Sequence, residues 1–388
     1  MNTWQTNLYK ELMALVEESE AFYYKDFLAE GIIYRMFNYR LASYTEFLRP
    51  SALECRGHMF EVTDDGADAA PIRLASLPCE KFFNLNENPM TMDLDLTTAK
   101  EVAVKADGSL ISTYLHPLDW VNGEPGFVVR LKTKGSLYSD QAIDAQCWLD
   151  LPENAGLKKE LEGAARLDYT VIMEWVAPNN RIVLSYDQPA LIVLGVRNNE
   201  TGEYVSYEEV DADTFPNILD RWVSFEAMDD TVSFADSVPN LQGVEGFVVL
   251  LESGQRVKMK TEWYLALHHT KDNINSPRRL FEAVLEEATD DMRSLFVDDI
   301  QALGVITEME LFVEEKYNHM ADTIDRFYER NKHLDRKDYA ILGQKELSRM
   351  YFGLAMQRYL GKDYDYKETM KKNWKNYGLR DLEVNEDE

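Results

Sequence analysis

All 12 prolines of this 388-residue chain lie at or before Pro277. Proline fixes φ and removes a backbone donor, so it punctuates strands and turns but is expelled from helix interiors. The stretch beyond Pro277 is therefore free to run as continuous helix. Its pattern agrees: Met309, Phe312, Val313, Tyr317, Met320, Ile324 and Phe327 form an apolar stripe at helical spacing. Ser276 and Pro277 supply a capping side chain and a proline at the first helical position.

The region before Pro277 has another texture. Leu8, Leu12, Leu15 and Val16 predict one helix near residues 5–20. From about residue 30 to 265, short β-rich runs alternate with turn signals: Val102–Lys105 before Asp-Gly-Ser, Gly126–Lys132, Tyr169–Ala177, Ala190–Val196, and a hairpin from Gly246 to Lys260 turning at Glu252–Gln255. The expected fold class is α+β, with a domain of antiparallel sheets over 1–265 and an all-helical domain over 266–388.

Cys55, Cys79 and Cys147 are odd in number and widely spaced, which argues against a disulfide framework or a structural zinc. No stretch has the apolar length of a membrane span, and Met1–Lys10 lacks the pattern of a signal peptide, so a cytoplasmic protein is expected. The net charge of −28 excludes coating nucleic acid by bulk electrostatics, though not a local basic site on an acidic body. The acidic tail Asp381–Glu388 reads as a frayed terminus.

The chemistry centres on Lys105–Leu110 (KADGSL), where a lysine ends one strand, Asp-Gly turns and a second strand follows. In isolation this is an ordinary hairpin with an exposed lysine. As a nucleophile, Lys105 would attack the α-phosphate of a nucleoside triphosphate, which needs its pKa lowered by neighbouring cations or a metal ion. Candidate cations recur. Lys258 and Lys260 lie two apart on one strand face, and Lys132 and Lys134 repeat the spacing. Glu174 is a lone charge in the apolar run Val171–Val176, and Glu245-Gly246 opens the strand leading to Lys258. Arg56 and Lys81 are placed to clamp phosphates.

In order, KADGSL, Met173–Val176 (MEWV), Glu245–Val248 (EGFV) and Lys258–Lys260 (KMK) resemble the motifs of covalent nucleotidyltransferases, the polynucleotide ligases and capping enzymes. Leu53–Gly57 (LECRG), Glu80–Pro89 (EKFFNLNENP), Lys134–Ser136, Ala177–Val183 and Trp263-Tyr264 narrow the resemblance to the phage RNA ligase 1 family, which repairs tRNA. It is densest from Tyr34 to Tyr264.

The resemblance implies an ATP-dependent RNA ligase. Lys105 would carry AMP, and Arg56 and Lys81 would contact the triphosphate. Lys258 and Lys260 would serve the α-phosphate. Glu174 would sit near the ribose, Glu245 near a magnesium ion reached through water, and both are candidate metal residues. Tyr39, Phe83, Gly108, Lys134 and Tyr264 would complete the nucleotide pocket. Ala106 stands where the family has an acidic residue and is expected to point away. The implied partner is RNA with 3′-hydroxyl and 5′-phosphate ends, a cleaved tRNA anticodon loop above all, with no membrane and no obligate protein partner. The rival readings are a DNA ligase or capping enzyme with the same nucleophile, and an RNA-binding protein with a decayed nucleotide site.

Other features are weaker. His268-His269 diverge as sequence neighbours and make a poor metal pair. Lys367, Lys371, Lys372 and Lys375 with Trp374 and Tyr377 form a basic-aromatic patch suited to RNA or to a solvated helix face.

Overall fold

The computed structural model describes residues 1–379 except 41, 122–123, 181, 227–229, 287–288, 290–291, 293–295, 297–298 and 363; side chains of 119–125 and 268–273 are also left aside. The acidic tail 381–388 and the side chains of His268 and His269 thus lie outside the described residues. The chain forms two compact units, Met1–Leu265 and Ala266–Glu388.

The first unit opens with α1 (Thr3–Glu18), capped by a reciprocal Asn2–Gln5 box. Leu8, Tyr9, Leu12 and Leu15 bury one face of α1 in a core shared with Phe22, Phe37 and Phe60. Those aromatics belong to a four-stranded antiparallel meander: β1 (Phe22–Ala29), β2 (Ile32–Tyr39), β3 (His58–Val62) and β4 (Pro71–Ser76). It begins earlier than the expected residue 30.

A second sheet of five strands contains β6 (Ser109–Val121), β7 (Glu124–Thr133), β8 (Tyr169–Val176), β9 (Ala190–Asn198) and β10 (Tyr204–Val205), in the order β10-β9-β8-β6-β7. Two helices, α2 (Asp140–Leu149) and α3 (Ala155–Arg166), cover one face with Ala145, Leu149, Leu157 and Leu161. These helices interrupt the region expected to be β-rich. Alanine-rich faces such as Ala142 and Ala145 give little apolar contrast, which is why the pattern missed them.

The third sheet runs β11-β5-β12-β13, from β5 (Ala99–Val104), β11 (Phe225–Glu226), β12 (Gly246–Leu251) and β13 (Arg256–Lys260), with the short helices α4 (Pro216–Leu219) and α5 (Thr231–Ser237) in its connections. Its two faces are sorted by the period of two. Val102, Val249, Leu251, Val257 and Met259 pack with Val238 in a small core. Their strand neighbours Ala103, Val248, Leu250, Arg256, Lys258 and Lys260 face a cleft.

One sequence reading is corrected here. β5 and β6 do not form a hairpin: they belong to different sheets, and Lys105–Gly108 is the crossing between them. Asp-Gly signals a sharp change of direction, but only pairing decides whether the next strand returns along the first.

The second unit takes over within α6 (Glu262–Asn275) and continues through α7 (Pro277–Leu285), α8 (Ile300–Asn331), α9 (Arg336–Glu346), α10 (Arg349–Tyr359) and α11 (Tyr366–Lys372). Ser276 caps α7 through Arg279 N, with Pro277 in the first turn. Val313, Met320, Ile324 and Phe327 of α8 are buried with Phe281, Tyr339, Leu354 and Met370. No helix among the described residues is long and apolar enough to cross a membrane.

Candidate active site

The cleft lies between the second and third sheets and has a volume of about 500 Å³. Strand register brings its charges together. Lys258 pairs with Val248, which pairs with Ala103, while Lys260 pairs with Gly246, whose carbonyl accepts from Lys105 N at 2.9 Å. Lys105 and Lys260 therefore flank Gly246, and Glu245 ties them: its two oxygens each lie 2.9 Å from one ammonium nitrogen.

The crossing that carries Lys105 is pinned by its own residues. Gly108 N donates to Glu174 Oε1 at 3.1 Å. A Cβ on Gly108 would stand 2.3 Å from the Trp175 carbonyl oxygen, so only glycine lets the crossing lie against β8. Asp107, 2% exposed, accepts from Val183 N at 2.8 Å, Leu184 N at 2.6 Å and the Tyr264 hydroxyl at 2.7 Å. Asp107, a turn residue by its sequence context, anchors the crossing that carries Lys105.

Of the residues singled out in the sequence, Tyr39, Arg56, Lys81, Lys105, Gly108, Lys134, Glu174, Lys258 and Lys260 line the cleft. Glu245 and Tyr264 stand behind the lining, holding Lys105, Lys260 and Asp107. Phe83 sits in the α1 core and presents its ring to Lys81, whose ammonium lies 5.0 Å from the ring centre. Lys81 and Lys134 also approach the Tyr39 ring, at 5.6 and 6.0 Å. Ala106 does not point away: it is buried and lines the cleft. The crossing is not a flat strand, so alternation from Lys105 did not apply.

The electrostatics also differ from expectation. Burial alone would lower the Lys105 pKa, but Glu245, Glu174 and Asp107 outweigh it, and Lys105 is held above the ordinary lysine value. The nearest charges to Lys105 are carboxylates, not cations. Lys258 is the depressed ammonium, pushed down to about 8 by burial and by Lys81, Lys105, Lys260 and Arg56. Burial, Arg56 and Lys81 likewise lower Lys134. Glu174 is pushed up to about 7, by burial first and then by Glu245 against the pull of Lys105.

Lys132 is wholly buried, donates to Gly57 O at 2.7 Å and is pushed down to about 7 by burial. Its partner in the sequence pattern, Lys134, is the one that reaches the cleft. Cys79 was passed over in the sequence; it lines the cleft and accepts from Arg56 Nη1 at 2.9 Å. Cys55 is buried, donates to Asn38 O at 3.1 Å and has its thiol pushed up by burial, which leaves it unreactive.

A family model described as RNA ligase matches residues 54–264, more than half of the chain. The chain belongs to the RNA ligase family. A second model, described as the T4 RNA ligase 1 C-terminal domain, matches residues 271–380. RNA ligase 1 of bacteriophage TS2126 is 27% identical over 338 residues, covering 81% of this chain and 77% of the phage protein. A putative bifunctional polynucleotide kinase/RNA ligase of Autographa californica nuclear polyhedrosis virus is 28% identical over 262 residues, 64% of this chain. That match spans only 35% of the viral protein's length. Among solved structures, a mutant Naegleria gruberi RNA ligase with ATP and Mn shares 12% identity over 66% of this chain and 82% of that one, with a TM-score of 0.30.

Proposed function

We propose that this RNA ligase is ATP-dependent and works through a covalent lysyl-adenylate on Lys105. The observation that carries the reading is the Lys105 ammonium at the sheet crossing, in one cleft with Arg56, Lys81, Lys134, Lys258 and Lys260. A set of cations this dense is costly to hold together without an anion to receive, and a triphosphate is such an anion. The apolar part of the cleft, with Ile172, Leu194 and Val248, suits a nucleobase.

The reaction is read in three transfers. Lys105 Nζ, once deprotonated and freed from Glu245, forms a bond to the α-phosphorus of ATP, and pyrophosphate leaves. The adenylate then passes to the 5′-phosphate oxygen of an RNA end, which regenerates the lysine. An RNA 3′-hydroxyl attacks that activated phosphate, forming the phosphodiester and releasing AMP. Lys258 and Lys260 serve charge on the α-phosphate; Arg56 and Lys81 grip the leaving pyrophosphate; Lys134 and Tyr39 close the cleft beside them. Glu174, which accepts from the Gly108 amide, would contact the ribose.

Magnesium fits these residues in one way. Among the described residues no group of three or more His, Cys, Asp or Glu side chains could hold a metal ion. A magnesium ion held by phosphate oxygens and water, with Glu174 or Glu245 behind the water, matches that donor set. Such an ion would stabilise charge on the non-bridging oxygens.

The RNA reading extends to the helical unit, proposed as the selector of a cleaved tRNA anticodon loop in a cytoplasmic setting. Its support is the match of 271–380 to a T4 RNA ligase 1 C-terminal domain and the sequence resemblance to tRNA-repair ligases. The test of the central step is direct. Incubation with ATP and magnesium, without RNA, should add one AMP mass that is stable to base and labile to acid. An adduct that survives Lys105→Ala defeats the assignment.

A further inference from the structure

The segments that present Arg56 and Lys81 are stitched to each other. Lys81 N donates to Leu53 O at 2.7 Å, and Arg56 Nη1 reaches Cys79 Sγ at 2.9 Å and Cys79 O at 3.3 Å. Behind them, outside the cleft lining, stands Arg197 of β9, 3% exposed. An arginine has five N–H donors in a fixed fork. Here each has an acceptor: Glu54 takes two bonds at 2.9 Å, Pro78 O one at 2.8 Å, and Gly202 O two at 2.8 and 3.0 Å. The same guanidinium lies 3.7 Å from Glu80 Oε2.

Arg197 thus holds one segment through Glu54, two residues before Arg56, and the other through Pro78 O, three residues before Lys81, with the Glu80 carboxylate in ion-pair range. Both grips are reinforced. Glu54 also meets His58 Nε2 at 2.8 Å. Glu80 also accepts from the Tyr204 hydroxyl and lies 3.4 Å from Arg256 Nη1. Tyr204 and Arg256 themselves line the cleft.

A buried ion pair is weak evidence for stability, because apolar side chains of similar volume often do as well. What the fork gives is geometry: two loop segments fixed in direction and spacing from one rigid strand. We propose that Arg197 is a positioning residue, with Glu54 and Glu80, that sets the separation of Arg56 and Lys81 and so acts on the nucleotide-dependent first step. The inference rests on the ATP reading above. It predicts an effect on capture of the triphosphate and none on the later attack by RNA, where no pyrophosphate is present.

The experiment uses the full chain and two substrates. Lysyl-AMP formation is followed against ATP concentration, and sealing is followed on a pre-adenylated RNA that bypasses the first step. Arg197→Met combined with Glu54→Gln, which avoids an orphaned half-buried carboxylate, should raise the KM for ATP about tenfold and leave sealing within about twofold. Arg197→Lys should not restore the wild-type KM, since an ammonium cannot make the fork. In a background already lacking both Arg56 and Lys81, the Arg197 change should have no further effect on KM.

Equal losses on both substrates, or an undiminished increase in that background, would overturn the proposal. Thermal melting identifies a variant that has simply unfolded. In that case part-exposed Glu80→Gln decides, and an unchanged KM for ATP sinks the idea. A wild-type chain that forms no lysyl-AMP defeats the ATP reading itself, and is told apart because the reference rate is then zero.

Discussion

Two regions of this molecule interleave lysines with aromatic rings, and they end up chemically opposite. In the first unit, Lys81, Lys134, Lys258 and Lys260 stand over Tyr39, Phe82, Phe83 and Tyr264 around one cleft, and two of these ammonium groups are driven below the ordinary lysine value. In the second unit, Lys371 pairs with Glu286, Lys372 pairs with Glu368, and Lys375 lies 5.6 Å over Trp374. Trp374 and Tyr377 pack against the helical core and do not form an open stacking platform. Spacing alone does not make a cationic site. Facing sheets bury the first set among like charges, whereas the end of α11 and the turn after it leave the second set at the surface, with acidic partners for Lys371 and Lys372.

The contrast breaks most sharply at Lys105. Lys105→Ala should remove all AMP incorporation, read by mass, while Lys371→Ala in the second unit should leave it intact. Next is Lys258. Its truncation to Met should slow self-adenylylation on the order of a hundredfold, the usual cost of losing one preorganised contact to developing charge. If Lys258→Met and Lys371→Met were equally active, the two regions would not differ as described.

A pH test sharpens the same point. Lys258 titrates near 8, far below an unfolded lysine, so it carries charge below that pH and loses it above. The KM for ATP should therefore rise as pH passes upward through about 8, and Lys258→Arg should abolish that limb. The sign for stability is opposite. Because the folded-state pKa is depressed, the unfolded chain binds more protons between about 8 and 10.5, and this group's contribution to stability increases with pH across that window. A KM for ATP that stays flat from pH 7 to 9.5 rejects the assignment.

Truncation gives a smaller and more selective effect. Cutting after Asn275 keeps α6 and with it Tyr264, which holds Asp107. The shortened chain should still form lysyl-AMP and join simple linear RNA, but lose its preference for a cleaved anticodon stem-loop. Both substrates must be compared at one salt concentration, since phosphate contacts are salt-dependent. An unchanged preference would place selectivity in the first unit. The smallest effects belong to single exposed lysines of the second unit. Lys372→Ala should shift stability by less than about 0.5 kcal/mol, and lower the salt slope of RNA binding by about one if it meets a phosphate.

Local patterning accounts for the helical unit and for one face of the cleft. Proline spacing and the stripe from Met309 to Phe327 gave the helical region, and the period of two placed Lys258 and Lys260 on one face. Both follow from local rules, helix and strand periodicity, that need no partner. Contacts between distant segments fix the rest. Whether β5 and β6 pair, and so whether Lys105 sits on a hairpin or a crossing, depends on strands from residues 169 to 260 that are remote in sequence. Ala106 lines the cleft for the same reason. Asp107 and Cys79 carry no local signal, and neither does the grip of Arg197 on Glu54 and Pro78, because these partners lie between 23 and 157 positions away. The sign of the Lys105 shift was equally invisible: which charges sit nearest an ammonium is fixed by folding distance, and Glu245, 140 residues on, comes closer than any cation.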